Sequence, residues 1–245
     1  MTANPHTAIP VVFLSGMLAD QRMWQPVIAQ MEARARIGAV PAITPIIPAL
    51  DTKDDVQAMA RDVLEQVPDR FALVGMSMGG YVAFEILRMA RERVSHLMLV
   101  NTRATGDDRA MRRRRLLLAR LSGVHLPFQG VNDAMLDDML HPDHRHDPEL
   151  ISLLSDMAED LGEDVFKRQI TAVANRPDSM ALLSELDMPC TVIVGEADRV
   201  ISPASHHDMA GRIPGARMIK VAGAGHYVPL EQPGILADAL RDLVI

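Results

Sequence analysis

The segment Gly75-Met76-Ser77-Met78-Gly79-Gly80 sets a serine between glycines two residues to either side. It follows an apolar run at 71–74 that reads as a strand, and it opens a helical pattern running from 78 to 91. A strand that turns directly into a helix strains the corner residue and projects its side chain outward, and the flanking glycines remove the clashes of such a turn. A chain of this composition would contain G-x-S-x-G by chance in roughly four cases per hundred. Its position between strand and helix, rather than the spacing alone, argues against an ordinary turn with an idle serine. A hydroxyl there is a candidate nucleophile, and at neutral pH it needs a positioned base.

Nine histidines are available. His226 stands in Ala222-Gly223-Ala224-Gly225-His226-Tyr227, directly after the last predicted strand, where glycines let the backbone carry an imidazole over the serine. His96 precedes a predicted strand, His6 lies in a terminal segment, and His206 and His207 open a helix and read as surface residues. An imidazole base needs a carboxylate to fix its tautomer and balance its charged form. Asp198 in Gly195-Glu196-Ala197-Asp198-Arg199 follows another strand; Glu196 is its rival, and Arg199 offers Asp198 a plain ion pair instead. The oxyanion formed on attack calls for preorganised donors, each worth about 3–4 kcal/mol of barrier. The backbone N–H groups of Met78, at the helix start, and of Met17, in the loop Ser15-Gly16-Met17-Leu18, are the candidates. The chemistry needs no cofactor and no metal.

These groups must be positioned by a sheet. Strands are expected at 11–14, 71–74, 97–100, 191–194 and 217–221, with a weaker one at 43–47 among Pro41, Pro45 and Pro48. Helical patterns fall at 24–31, 54–67, 78–91, 204–213 and 235–244. The alternation predicts an α/β fold with a mostly parallel sheet and helices on both faces. Residues 103–186 break the rhythm and read as short helical pieces forming a cap over the sheet's carboxyl edge, where open α/β folds bind ligands. The core is therefore divided into 1–102 and 187–245.

Bulk properties narrow the class. Apolar residues make up 48% of the 245, aromatics only 3%, and methionine is abundant at 17, so the core must be aliphatic and partly built from thioethers. A net charge of −7 gives no sign of nucleic acid. The apolar run Ile9–Leu14 is too short for a secretory signal or a membrane span, which makes cytoplasmic the default reading. Cys190 reads as a buried strand residue, and a lone cysteine excludes an intrachain disulfide.

Taken together these residues resemble the α/β-hydrolase superfamily, along essentially the whole chain. Phe13-Leu14-Ser15-Gly16 is similar to the oxyanion-loop motif, 73–81 to the nucleophile elbow, 97–102 to the next strand, 192–200 to the acid loop, and Gly225-His226-Tyr227-Val228-Pro229-Leu230-Glu231-Gln232-Pro233 to the histidine segment. The order Ser…Asp…His is the order of that fold. Two departures stand out: Ser15 replaces the usual histidine of the oxyanion loop, and Pro45-Ile46-Ile47-Pro48-Ala49-Leu50 replaces the usual Asp-x-x-Gly-x-Gly segment. A serine nucleophile argues against haloalkane dehalogenases and epoxide hydrolases, which share the fold. Length and compact cap resemble the carboxylesterase and 3-oxoadipate enol-lactonase branch.

The resemblance implies a serine esterase or lactonase acting on a small-molecule ester through an acyl-enzyme, with no nucleic-acid or membrane partner. A thioesterase, a C–C bond hydrolase or a cofactor-free perhydrolase would use the same triad, and a receptor that binds without turnover is a further alternative. Substrate identity and oligomeric state are not legible. The run Arg112–Arg115 is expected to form a solvated helix face, and His141-Pro142-Asp143-His144-Arg145-His146 a solvated loop rather than a metal site.

Overall fold

The computed structural model describes residues 8–38, 41–122, 128 and 130–244; His6 lies outside them. Strands β1 (Ile9–Leu14), β2 (Ile43–Ile46), β3 (Phe71–Met76), β4 (Val94–Val100), β5 (Cys190–Gly195) and β6 (Arg217–Val221) form one parallel sheet in the order β2-β1-β3-β4-β5-β6. The chain moves outward from β1 to β2, then returns past β1 to β3 and proceeds the other way. The reversal falls between β1 and β3, so the loops leaving these two strands diverge and open a crevice at their carboxyl ends. Pro45 is tolerated in β2 because that strand is an edge, paired only with β1.

Helices cover both faces. They are α1 (Gln25–Arg36), α2 (Val56–Gln66), α3 (Met78–Ala90), α4 (Arg109–Leu121), α5 (Asp133–Met139), α6 (Pro148–Asn175), α7 (Pro203–Arg212), α8 (Val228–Glu231) and α9 (Pro233–Val244). Successive strand residues point to opposite faces, and the core divides accordingly. Leu14, Leu73, Leu99 and Val192 pack under α2 and α3, whereas Phe13, Val74, Val100 and Ile193 pack with Trp24, Val27 and Leu236 on the other side. Met23, Met31, Met59, Met76 and Met78 are among the largest fully buried side chains, as the scarcity of aromatics required. Cys190 is buried in β5, where desolvation pushes its thiol up to about 12.

Between β4 and β5 lie α4, α5, α6 and a short turn at Met180–Glu185, with no strand among the described residues. The expectation of short pieces only is corrected by α6, which runs from Pro148 to Asn175 and is broken once, at Gly162 with φ 75°. His96, expected before a strand, sits inside β4. Among the described residues no helix is long and apolar enough to cross a membrane.

Leu73 is fully buried in the central strand β3. Leu73→Ala is expected to lower the unfolding free energy by about 2–5 kcal/mol, seen as a lower urea midpoint with an unchanged denaturant slope.

Candidate active site

Ser77 occupies the corner between β3 and α3 with φ 52° and ψ −115°. That combination is costly for a residue with a Cβ and persists only where the surroundings enforce it. Enforcement comes from both sides: Ser77 N donates to Val100 O at 3.0 Å, and Ser77 O accepts from Gly80 N at 3.0 Å and from Thr102 Oγ1 at 2.8 Å. A Cβ at Gly79 would strike Leu14 O, and one at Gly80 would strike Thr102, so α3 lies directly against β1 and the end of β4. Gly80, not flagged by the G-x-S-x-G spacing, is thus as constrained as the glycines of the motif.

The loop after β1 passes close to the serine: a Cβ built on Gly16 would sit 3.5 Å from Ser77 Cβ. Met17, Ser77 and Met78 line one pocket, together with Tyr81, Val173, Val200 and Ile201. Neither Met17 N nor Met78 N donates to a protein acceptor among the described residues. Ser15 braces this loop in place of the absent histidine: its Oγ accepts from Trp24 Nε1 at 3.1 Å and donates to Asp20 O at 3.2 Å. Gln169 of α6 adds a second brace, accepting from Leu18 N at 2.8 Å and donating to Leu50 O at 2.9 Å.

Asp198 and His226 meet in the space after β5 and β6, with Asp198 Oδ2 3.0 Å from His226 Nδ1 and both side chains buried. Asp198 Oδ1 accepts from Val200 N at 2.9 Å and Ile201 N at 3.1 Å. Burial alone would lift this carboxyl, but the charge and hydrogen bond of His226 and the Ile201 N–H outweigh it and hold Asp198 below the usual carboxylate range. The rival Glu196 turns away and accepts from Gly223 N at 2.8 Å, and Arg199 is exposed and makes no ion pair with Asp198 among the described residues. No hydrogen bond joins His226 to Ser77. Their loops are tied instead to adjacent residues: Asn101 Nδ2 donates to His226 O at 2.7 Å, and Thr102 donates to Ser77 O.

Residues 11–239 match the family model described as the alpha/beta hydrolase family. The chain belongs to that family. Among curated proteins, the hydrolase is 24% identical over 236 residues to the pimeloyl-(acyl-carrier protein) methyl ester esterase of Aliivibrio salmonicida (strain LFI1238), covering 88% of this chain and 84% of that protein. The protein of the same name from Legionella pneumophila (strain Corby) is 30% identical over 98 residues, and this chain spans only 38% of its length. Among solved structures, a thermophilic esterase from Thermogutta terrifontis with malate bound superposes with a TM-score of 0.83 at 28% identity, covering 96% of this chain and 89% of that one. The enol-lactonase of Burkholderia xenovorans LB400 shares the fold, with a TM-score of 0.79, 21% identity, and coverage of 98% and 92%.

Several residues of the hydrolase's site escaped the reading of the sequence. Asn101, fully buried and at φ 42°, also donates to Gly225 O at 2.8 Å and accepts from Gly195 N at 2.9 Å. Glu231, from α8, accepts from Gly225 N at 2.9 Å and Tyr227 N at 3.1 Å, and from His141 N at 2.7 Å. Its other bond, to His144 Nδ1 at 3.2 Å, corrects the expectation of a solvated histidine loop: the segment is docked on the histidine loop. The available signal was position, since an Asn-Thr pair directly after an apolar strand and a glutamate just past the histidine both sit at the carboxyl edge.

His206 requires the sharpest correction. Expected at the surface, it is fully buried, with Nδ1 3.1 Å from Ser202 O and Nε2 facing Asp198 Oδ2 at 3.9 Å. Only His207 of the pair is exposed. Burial holds the His206 imidazole below its ordinary range, against the attraction of Asp198.

Asn101→Ala strands three buried backbone groups and is expected to lower stability by about 2–4 kcal/mol, whereas Thr102→Val, which removes one bond, costs about 1 kcal/mol; thermal melts at one pH rank the two. His206, with its pKa depressed, contributes stability that is complete above its unfolded value of about 6.5 and declines as pH falls below it. Urea titrations from pH 7.5 down to 5 should show that decline in the parent and a shallower one in His206→Gln; identical slopes would contradict a buried neutral His206.

Proposed function

We propose that the hydrolase is a serine esterase or lactonase in which Ser77 attacks a carboxylic ester. The observation that carries this reading is one set of contacts: a serine at positive φ in a pocket also lined by Val200 and Ile201, and a buried Asp198–His226 pair whose histidine loop is held by Asn101, next to the Thr102 that holds the serine's carbonyl. In this scheme His226 Nε2 takes the Ser77 proton as Oγ bonds to the ester carbon, while Asp198 holds Nδ1–H and balances the imidazolium. Met17 N–H and Met78 N–H receive the oxyanion. Collapse returns the proton to the departing alkoxide and leaves an acyl-serine, which water, deprotonated by the same imidazole, then cleaves to free acid.

Similarity to the Thermogutta terrifontis esterase at 28% identity over 96% of the chain supports ester chemistry. The esterases from Aliivibrio salmonicida and Legionella pneumophila favour a second, more specific reading, a methyl ester presented on an acyl carrier. The outer side of α4 agrees with it, since Arg109, Arg112, Arg113 and Arg120 surround exposed Leu117.

The test is hydrolysis of a graded ester series by the parent, Ser77→Ala and Asp198→Asn. Ser77→Ala is expected to lose at least about 10³-fold in kcat, and Asp198→Asn about 10³–10⁴-fold, with circular dichroism unchanged. Residual activity equal to the parent in Ser77→Ala would remove the serine from the mechanism. Faster cleavage of a carrier-bound methyl ester than of the free one would select the second reading.

A further inference from the structure

The Ser77 pocket has one charged wall. Arg103, just after β4, and Arg115, on α4, line it together with the apolar Met17, Val173 and Ile201. The run Arg112–Arg115 is therefore not a uniformly solvated face: it winds around α4, leaving Arg112, Arg113 and Arg114 exposed while Arg115 turns inward.

Asp107, whose side chain is completely buried, joins the two arginines. Its Oδ1 lies 2.7 Å from Arg103 Nη2 and 2.8 Å from Arg176 Nη2, and its Oδ2 lies 2.8 Å from Arg115 Nε. Burial would raise this carboxyl, but the hydrogen bond and charge of Arg176, with Arg115 and Arg103, hold it low and ionised. Three guanidinium groups thus share one carboxylate, and the cluster keeps two positive charges in excess. Arg176 is sealed off, 2% exposed, with its guanidinium 4.3 Å from the Tyr81 ring centroid and its nitrogens on Val173 O and Thr105 O. Arg103 and Arg115 are about a quarter exposed and make no second ion pair among the described residues. Arg103 Nε is buried with no acceptor among them. Arginine cannot shed its charge at working pH, so a pocket walled by this pair favours a ligand that brings negative charge.

We propose that Arg103 and Arg115 form an anion subsite, so that the ester taken at Ser77 carries a second, anionic oxygen group, a carboxylate or a phosphate, seated on this pair. The subsite rests on the reading of Ser77 as nucleophile and names the substrate class of that site. The guanidinium fork matches such groups with paired N–H donors, while Met17, Val173 and Ile201 accept the hydrocarbon between the two ends.

The experiment compares monomethyl esters of glutaric, adipic and pimelic acids with methyl esters of monoacids of matched length, and adds methyl 6-phosphonohexanoate as the phosphate-like arm. In the parent, kcat/KM should favour the anionic series by about 10–100-fold, with the preferred arm identifying the group. That ratio should fall by a similar factor in Arg103→Gln and Arg115→Gln, and less in Arg115→Lys. Equal use of charged and neutral esters by the parent would overturn the proposal, as would variants that lose both series by the same factor, the mark of a purely structural cluster. Calorimetric titration of glutarate and of methylphosphonate into Ser77→Ala needs no turnover. At least one should bind, at least tenfold more weakly once Arg103→Gln is added; if neither binds, the subsite is wrong even where ester hydrolysis stands. Binding without hydrolysis of any ester would instead leave the subsite standing and remove the serine mechanism.

Discussion

The site of this hydrolase is gathered by hydrogen bonds from two consecutive residues at the carboxyl end of β4. Asn101 joins two neighbouring segments, accepting from Gly195 N at the end of β5 and donating to the carbonyls of Gly225 and His226 after β6. Thr102 holds the carbonyl of Ser77 after β3. A parallel sheet delivers the ends of its strands to one edge, but only to within the freedom of the loops that follow. The Asn-Thr pair removes that freedom with short bonds inside a region closed to water, where an unmet polar group is costly. The glycines around it have the same origin. Gly195 and Gly225 lie so close that a Cβ on the first would meet the carbonyl of the second, and the acid and histidine loops can share one anchor only at that separation.

Local physics made much of this legible in advance. A strand-to-helix corner announces itself in a few residues, and so do a glycine-rich turn bearing a histidine and an aspartate just past an apolar run; these signals placed Ser77, His226 and Asp198 after the carboxyl ends of β3, β6 and β5, where the structure has them. Pro45 obscured β2 because a proline reads against a strand unless the strand is known to be an edge, and edge status is a property of the whole sheet. His206 could not be read at all. Helical spacing puts it near exposed His207, and only the packing of α7 beneath the acid loop turns it toward Asp198. Arg115 escaped for a related reason. Four arginines in a row look alike in sequence, and which one faces inward depends on the roll of α4 and on Asp107 being placed to receive it.

The division of labour is chemical as well as spatial. The sheet loops supply closely constrained groups: a serine at positive φ, a carboxylate that accepts three hydrogen bonds, and two pocket-lining residues, Met17 and Met78, whose backbone N–H groups have no protein acceptor among the described residues. The helices between β4 and β5 supply charge and shape, through Arg115, Val173 and Arg176. Changing what the pocket admits therefore calls for substitutions on α4 and α6, which leave the bonds of Asn101 and Thr102 untouched.

One contact limits that independence. Gln169 reaches from α6 to Leu18 N and Leu50 O, and Arg168 Nε adds a bond of 2.8 Å to Asp51 O. The part of α6 beyond the Gly162 break is thereby fastened to the turns that follow β1 and β2, so it cannot lift away without releasing the loop that carries Met17. Local unfolding is therefore expected to couple the two: because its amide is held by Gln169, Leu18, though it sits beside a central strand, should exchange its proton with solvent on the timescale at which α6 opens.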